Sequence, residues 1–374
     1  MESTFSPLRR LSALLYLAVN LLFILKYVGR VHPSGAWVAA LVYVVLAVGV
    51  GFLLLRHGQK LSAPWRWLLF SVTLLSMLAL GMAQSRIDPY SLRVDRWSAI
   101  HNFLDHLFQG IYPYAAQTHL GGYGSPFPVW QLFHIPFWLL GNVGLSVFVA
   151  MLAFLGGMVL LRGVKVAFGA LLLLLLSPAF LYEVMVRSDL MTNFLLVCSV
   201  LCVFIRYRLS FSAHWLWMAV LCGLVMSTRL SALIPFLVYI FRDYLHARWT
   251  VRLLFPLVML TVFAATFLPF LLWDSEMLLF FEYNPFVLQS RQGHLADFLL
   301  FVPLGIWLSL SWKGNVSRFM LHTALLLIVL VLITFVHNMY LTDSWNQLFQ
   351  SAYDITYFNM SMPFLIIAIL PARP

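Results

Sequence analysis

The stretch RIDPYSLRVDRWSAIHNFLDHLFQGIYPYAAQTHLGGYGSPFPVWQLFHIPFWLLG, residues 86–141, decides how this chain is read. It is the one long polar-studded interval between apolar runs, with three Asp, four His, several aromatics and a Gly/Pro-rich bend. A connection of this length inside a compact membrane protein points to function. A helical pattern starts at Asp95. Trp97, Ile100, Leu104, Leu107 and Phe108 recur at three- and four-residue spacing, with Ser98, Asn102, Asp105 and Gln109 opposite. Such a helix lies in the membrane interface rather than across it. Gly110 ends it, Pro113 prevents a restart, and Gly121 to Pro128 is a bend with little helical capacity, able to move over a bound ligand.

Outside this stretch the chain is membrane-like. With 62% hydrophobic and 10% charged residues over 374 positions, no soluble fold fits, because the polar residues could not cover a core of this size. The apolar runs are continuous and long, which rejects a β-barrel with its short alternating segments. The expectation is an all-α, polytopic transmembrane helix bundle of about 12 spans, one membrane domain over 1–374 without a soluble appendage. Residues 1–30 have the outline of a signal peptide, yet Lys26-Tyr-Val-Gly-Arg30 lacks a small-residue cleavage pattern and further spans follow. They are expected to remain as the first helix.

Spans are expected at 11–29, 36–55, 66–84, 143–161, 165–182, 190–206, 213–227, 230–241, 252–272, 297–311, 319–337 and 360–371, with 129–140 re-entrant or on the surface. This arrangement puts Arg9, Arg10, Arg56, Lys60, Arg66, Arg162, Lys165, Arg206, Arg208, Arg242, Arg248, Arg252, Lys313, Arg318 and Arg373 inside, 15 of the 23 basic residues. Short basic loops belong on the cytoplasmic side. Only Glu2 and Asp243 of the 13 acidic residues share that side, and the other 11 face or border the outside. The alternative, 213–241 as a single tilted helix, inverts everything after it; the charge count favours two spans folding back at Ser227-Thr228-Arg229. The formal charge of +10 sits in these short connections, so it does not indicate nucleic acid. Cys198, Cys202 and Cys222 lie in apolar runs and read as packing residues.

Several residues can carry chemistry, each with a plainer reading beside it. Asp95 precedes an amphipathic helix and would serve as its N-cap; Asp88 reads as a turn residue and Asp105 as part of a solvated face. Arg187, Ser188 and Asp189 lie between two spans, where Ser188 or Asp189 would cap the next helix and Arg187 would make a local ion pair. Two acidic clusters bordering spans on one side are nonetheless functional candidates. Arg229 stands between two apolar runs and requires a carboxylate or phosphate for its planar fork, unless it snorkels to the surface. Arg291 offers a further phosphate contact or simply a solvated surface. His101, His106, His119 and His134 have no metal-ligand spacing, and there is no HExxH, GxSxG or Walker-type loop.

Asp95-Arg-Trp-Ser-Ala-Ile, the amphipathic helix, Gly110-Ile-Tyr-Pro-Tyr, Ser125-Pro-Phe-Pro and the short helix ending in Leu140-Gly141 resemble the first outer loop of GT-C glycosyltransferases, integral-membrane enzymes that use polyprenyl-phosphate sugars. Ser177-Pro-Ala-Phe-Leu-Tyr followed by Arg187-Ser-Asp189 is similar to the second outer loop of that superfamily, which includes bacterial aminoarabinose and polyprenyl-phosphate-mannose transferases. Ser227-Thr-Arg229 with Pro235 resembles its basic-residue-then-proline helix break. The resemblance covers roughly 86–241. Three spans precede the acidic loop where many relatives have one. Asp95 is followed by Arg rather than a second acid, which argues against tight binding of a divalent metal such as Mg or Mn.

The resemblance implies an inverting, mannosyltransferase-like transfer at the outer face of a bacterial inner membrane, in cell-envelope synthesis. The donor is a polyprenyl-phosphate-linked sugar and the acceptor a glycan, lipid or protein. Asp95 is then the general base and Asp189 a second carboxylate that orients the acceptor. Arg229, with Arg291 or Arg187, binds the donor phosphate. Tyr112, Tyr114, Tyr123, His101 and Glu183 contact substrate. The rival reading is a transporter or lipid flippase whose boundary charges line a path. The absence of matching halves and the clustering of charge on one face argue against it.

Overall fold

The computed structural model describes residues 6–56, 64–291, 293–350 and 352–372, with 52–56 by backbone alone. The expected basic turn at 57–60, Gln292, Glu2 and Arg373 lie outside the described residues, as does the side chain of Arg56.

Proline opens many of the helices, since its fixed φ suits a first turn and its missing N–H falls where no intrahelical partner exists. α1 (Pro7–Phe23) runs on through a π-helical turn, Ile24–Val28, before α2 (Pro33–Arg56) and α3 (Trp65–Ser85). The loop region supplies α4 (Arg96–Gln109), α5 (Pro128–Phe133) and α6 (Ile135–Leu139). α7 (Ser146–Arg162), α8 (Val164–Leu175), α9 (Pro178–Met185), α10 (Leu190–Tyr207), α11 (Phe211–Met226), α12 (Ile234–Leu245) and α13 (Trp249–Trp273) follow. The short α14 (Ser275–Leu279) and α15 (Pro285–Ser290) lead to α16 (Asp297–Ser311), α17 (Val316–Thr342) and α18 (Met362–Ile369). Among the described residues there is no strand, only one isolated bridge between Gln117 and Tyr123.

Seven helices are long and apolar enough to cross a membrane: α1 with its π turn, α2, α3, α7 with its preceding turn, α10, α13 and α17. The expected span at 165–182 is instead bent by 69° between α8 and α9; counting that pair as one span gives eight. The bend follows from Ser177-Pro178, where the Ser177 hydroxyl accepts the Phe180 N–H at 3.2 Å and caps a new helix. α11, α16 and Ile355–Ile369 are apolar but shorter.

The chain does not run straight through 213–241. The ring of Phe211, first in α11, lies 6.0 Å from that of Tyr244 near the end of α12, and Tyr239 Oη donates to Leu209 O at 3.3 Å. α11 and α12 therefore go out and come back, with the reversal at Ser227 to Leu233. The ends of α11 and α12 away from the reversal share one pole of the bundle with Arg162: the Tyr239 ring lies 5.7 Å from that of Phe319 at the start of α17, and Arg162 donates to Ser317 Oγ at 3.0 Å and to Ile367 O and Leu370 O at 2.7 and 2.6 Å. That pole is rich in Lys and Arg. The 86–141 stretch occupies the other.

α18 is the axis of the bundle, buried along Met362 to Ala368 and packed by α1, α10 and α17. A second, smaller core belongs to the loop region. In it Trp97, Ile100, Phe103, Tyr114, Phe127 and Trp130 pack against Phe267 and Phe270 of α13. Burying these aromatics, each about 150–250 Å² of surface, fixes α4 on the bundle.

Candidate active site

The bend after α4 is docked rather than loose. Thr118 N–H donates to Gly122 O at 2.8 Å and Gly121 N–H to Thr118 O at 3.0 Å, closing a tight turn. Farther along, Phe127 N–H donates to Thr228 O at 3.3 Å and Val129 N–H to Ser227 O at 3.1 Å, so the bend is laid onto the reversal between α11 and α12. Gln289 of α15 holds it from outside through Ser125 O at 2.9 Å. The flap expected from the glycines is in this structure a wall. Asp95, before the bend, and Arg229, in the reversal, line one cleft.

That cleft has a volume of about 210 Å³ and is lined by Asp95, Arg96, Tyr123, Arg229, Asp354 and Tyr357 among others. Asp95 occupies the N-cap position of α4, but its carboxylate makes no capping bond. Asp88, Asp274 and Asp354 do cap, accepting from Tyr90, Met277 and Thr356 N–H at 3.0 to 3.1 Å. Asp95 Oδ2 instead accepts from Thr118 Oγ1 at 2.9 Å, and a Cβ placed on Gly122 would stand 3.1 Å from the same oxygen. No described residue donates to Oδ1. The capping explanation for Asp95 therefore fails.

Asp189, also in an N-cap position and also not capping, is buried behind the cleft. Its Oδ2 accepts from Arg229 Nη2 at 2.5 Å and from Trp130 Nε1 at 2.6 Å. Its Oδ1 has no hydrogen-bond partner and lies 3.9 Å from Arg96 Nη1. Burial alone would raise the Asp189 carboxyl, but Arg229 and then Arg96 outweigh it and hold the group below the usual carboxylate range. The sequence reading put Asp189 against the acceptor; the structure puts it behind Arg229 as that residue's anchor.

Arg96 continues the chain of charge. Its Nη2 donates to Asp354 Oδ2 at 2.6 Å, and its guanidinium lies 4.9 Å over the Tyr357 ring. Burial works against the Arg96 charge, but Asp354, then Tyr357 and Asp189, overcome it and keep the guanidinium protonated. Asp354 is likewise raised by burial yet held low on balance, chiefly by Arg96 and then by the Thr356 hydroxyl and N–H. The result is an alternating series, Arg229, Asp189, Arg96, Asp354, with Asp95 standing beside it. The sequence pattern does not single out Arg96 or Asp354 as site residues: Arg96 stands where the resemblance would put a second acid, and Asp354 in its Asp-x-Thr turn reads locally as a cap.

Other expected site residues lie elsewhere. Arg187, left-handed at φ 54°, donates to Gln84 O and Ile87 O at 3.2 Å each and ties down the end of α3. Arg291 is exposed after α15 and does not line the cleft. Tyr112 and Tyr114 are buried in the aromatic core under α4, so of the three tyrosines only Tyr123 reaches the cleft, stacked on Tyr283 at 5.0 Å. His101 is a neighbour of Asp105 at 3.4 Å on α4, away from the cleft. Glu183 is buried, accepting from Thr192 N–H at 3.0 Å and Asn359 Nδ2 at 2.7 Å. Its position makes it a tie between α9, α10 and the turn before α18. Ser98, expected on the polar face, is buried and meets His119 Nδ1 at 2.7 Å.

The donor set does not suit a divalent metal. Asp189 and Asp354 are each held by an arginine, Asp95 shares the cleft with two guanidiniums, and no group of three His, Cys, Asp or Glu able to hold a metal exists among the described residues. The arrangement presents two carboxylates, Asp95 and the Arg96-bound Asp354, and two guanidiniums to a small hollow, with Asp95 the carboxylate that no arginine holds, suited to accepting a proton and to neutralising an anion. No protein-family model, curated protein or solved structure matches the chain.

Proposed function

We propose that the protein is a GT-C-like glycosyltransferase that moves a sugar from a polyprenyl-phosphate-linked donor to a glycan, lipid or protein acceptor, with inversion and without a metal. The supporting observation is the shared cleft: an uncapped carboxylate at Asp95 and a guanidinium at Arg229 line one hollow at the pole opposite the basic loops. On this reading the basic pole is cytoplasmic, the cleft opens outward from a bacterial inner membrane, and the three shorter apolar helices together with α12 complete about twelve passes.

In the reaction Asp95 takes the proton from the acceptor hydroxyl as its oxygen bonds to the anomeric carbon. The bond from that carbon to the phosphate oxygen breaks, and the polyprenyl phosphate leaves with the electron pair. Arg229 neutralises the leaving phosphate, held in place by Asp189 from behind. Phosphate is an adequate leaving group, so positioning and charge stabilisation supply most of the rate. Tyr123 offers a ring face to the sugar. A cleft of about 210 Å³ is below the roughly 300–1,000 Å³ of drug-sized pockets, which fits a sugar ring with the lipid tail outside.

The rival reading is a transporter or lipid flippase whose boundary charges line a path, for which no matching halves are found in the sequence. Purified protein incubated with labelled polyprenyl-phosphate sugars and candidate acceptors separates the two. Labelled product supports transfer; uptake into proteoliposomes without chemistry supports a carrier.

A further inference from the structure

A second cleft lies at the basic pole, far from the Asp95 site. It has a volume of about 440 Å³ and is lined by Pro64, Trp65, Arg66, Trp67, Val164 and Lys165, at the starts of α3 and α8. These helices pack side by side, with the Trp65 ring 5.6 Å from Phe168. Lys165 Nζ lies 5.3 Å over the Trp65 ring, held by a cation–π contact and not by an acid. Among the described residues neither Arg66 nor Lys165 has a carboxylate partner, and no acidic residue lines the cleft. Two cations in a hollow without an acid call for an anion.

The surroundings specify which kind. The cleft continues into the outward face of α3, where Trp67, Phe70, Leu75 and Leu78 are 70%, 61%, 64% and 54% exposed. That face belongs to a helix of membrane-spanning length, so hydrocarbon covers it. Tryptophans at the start of such a helix mark headgroup depth, and basic hollows between spans at that depth hold anionic headgroups. We propose that this cleft seats the phosphate of an anionic phospholipid, with its acyl chains lying along α3. The inference does not depend on the glycosyl-transfer reading.

The experiment is native mass spectrometry of the full chain in neutral detergent, titrated with phosphatidylglycerol or phosphatidylcholine of matched acyl chains. The wild type is expected to retain one more phosphatidylglycerol than an Arg66→Ala/Lys165→Ala variant, and phosphatidylcholine to show no such difference. A charge-keeping Arg66→Lys/Lys165→Arg variant should behave as wild type. Excess inorganic phosphate should not displace the lipid, because it lacks the acyl chains. Equal phosphatidylglycerol retention by wild type and the alanine variant overturns the proposal, as does equal retention of both lipids or full displacement by phosphate.

Discussion

Arg96 reaches across 258 positions of sequence to place Nη2 2.6 Å from Asp354 Oδ2, joining the first polar loop to the turn before the last helix. The pair forms part of the cleft wall, with side chains 14% and 38% exposed, so solvent weakens it. A double-mutant cycle with Arg96→Ala and Asp354→Ala is expected to give a coupling on the order of 1 kcal/mol in stability. Additive losses of melting temperature would mean the contact carries no energy.

Arg229 and Asp189 are a different case because both are buried. Removing one partner leaves an uncompensated charge, at a cost of roughly 3–5 kcal/mol. Arg229→Ala should therefore unfold at markedly lower temperature, and adding Asp189→Ala should recover much of the loss. Donor affinity is better read on Arg229→Lys, which keeps a charge beside Asp189 but loses the planar fork. It should bind donor about tenfold more weakly, and unchanged affinity would remove Arg229 from phosphate binding.

Gly122 has no positive φ, and a Cβ there would meet Asp95 Oδ2 at 3.1 Å and Thr118 Oγ1 at 3.5 Å. Gly122→Ala should shift the Asp95 carboxylate by a few tenths of an ångström without straining the turn. Misplacement of a reacting group is costly to rate. The expected outcome is about a tenfold loss of turnover with a nearly unchanged melting temperature, and full activity would show that the position of Asp95 does not matter.

His134, between α5 and α6, is buried with Nδ1 2.8 Å from Trp130 O and Nε2 3.1 Å from Ser146 Oγ. Burial pushes its pKa down to about 4. The unfolded chain, with an ordinary histidine near pH 6.5, binds the proton first, so stability falls as pH drops from about 6.5 to about 4. Thermal melts of wild type and His134→Gln over this window should diverge, with the variant losing less on acidification. Parallel curves would contradict the assignment.

The helical membrane architecture was legible in the sequence because long apolar runs have few folded outcomes. The reversal at Ser227 to Leu233 was legible too, since Arg208 and Arg242 needed the same pole. What the sequence obscured was side-chain direction. Asp95, Asp189 and Asp354 all precede helices, and position alone gives each the same reading as a cap. Only the fold separates Asp354, which caps Thr356 while holding Arg96, from Asp95, which does not cap. Tyr112 and Tyr114 were misplaced for a related reason: an aromatic near an interface serves a core or a ligand equally well until its neighbours are known.

Proton removal from the acceptor by the Asp95 carboxylate is tested by single-turnover transfer with purified Asp95→Asn and a labelled polyprenyl-phosphate-linked sugar. A general base contributes about 10²–10⁴ in rate. The amide should lower transfer by at least about 100-fold while melting temperature and donor binding stay near wild type. Transfer at close to the wild-type rate by a folded, donor-binding Asp95→Asn protein would show that Asp95 is not the base.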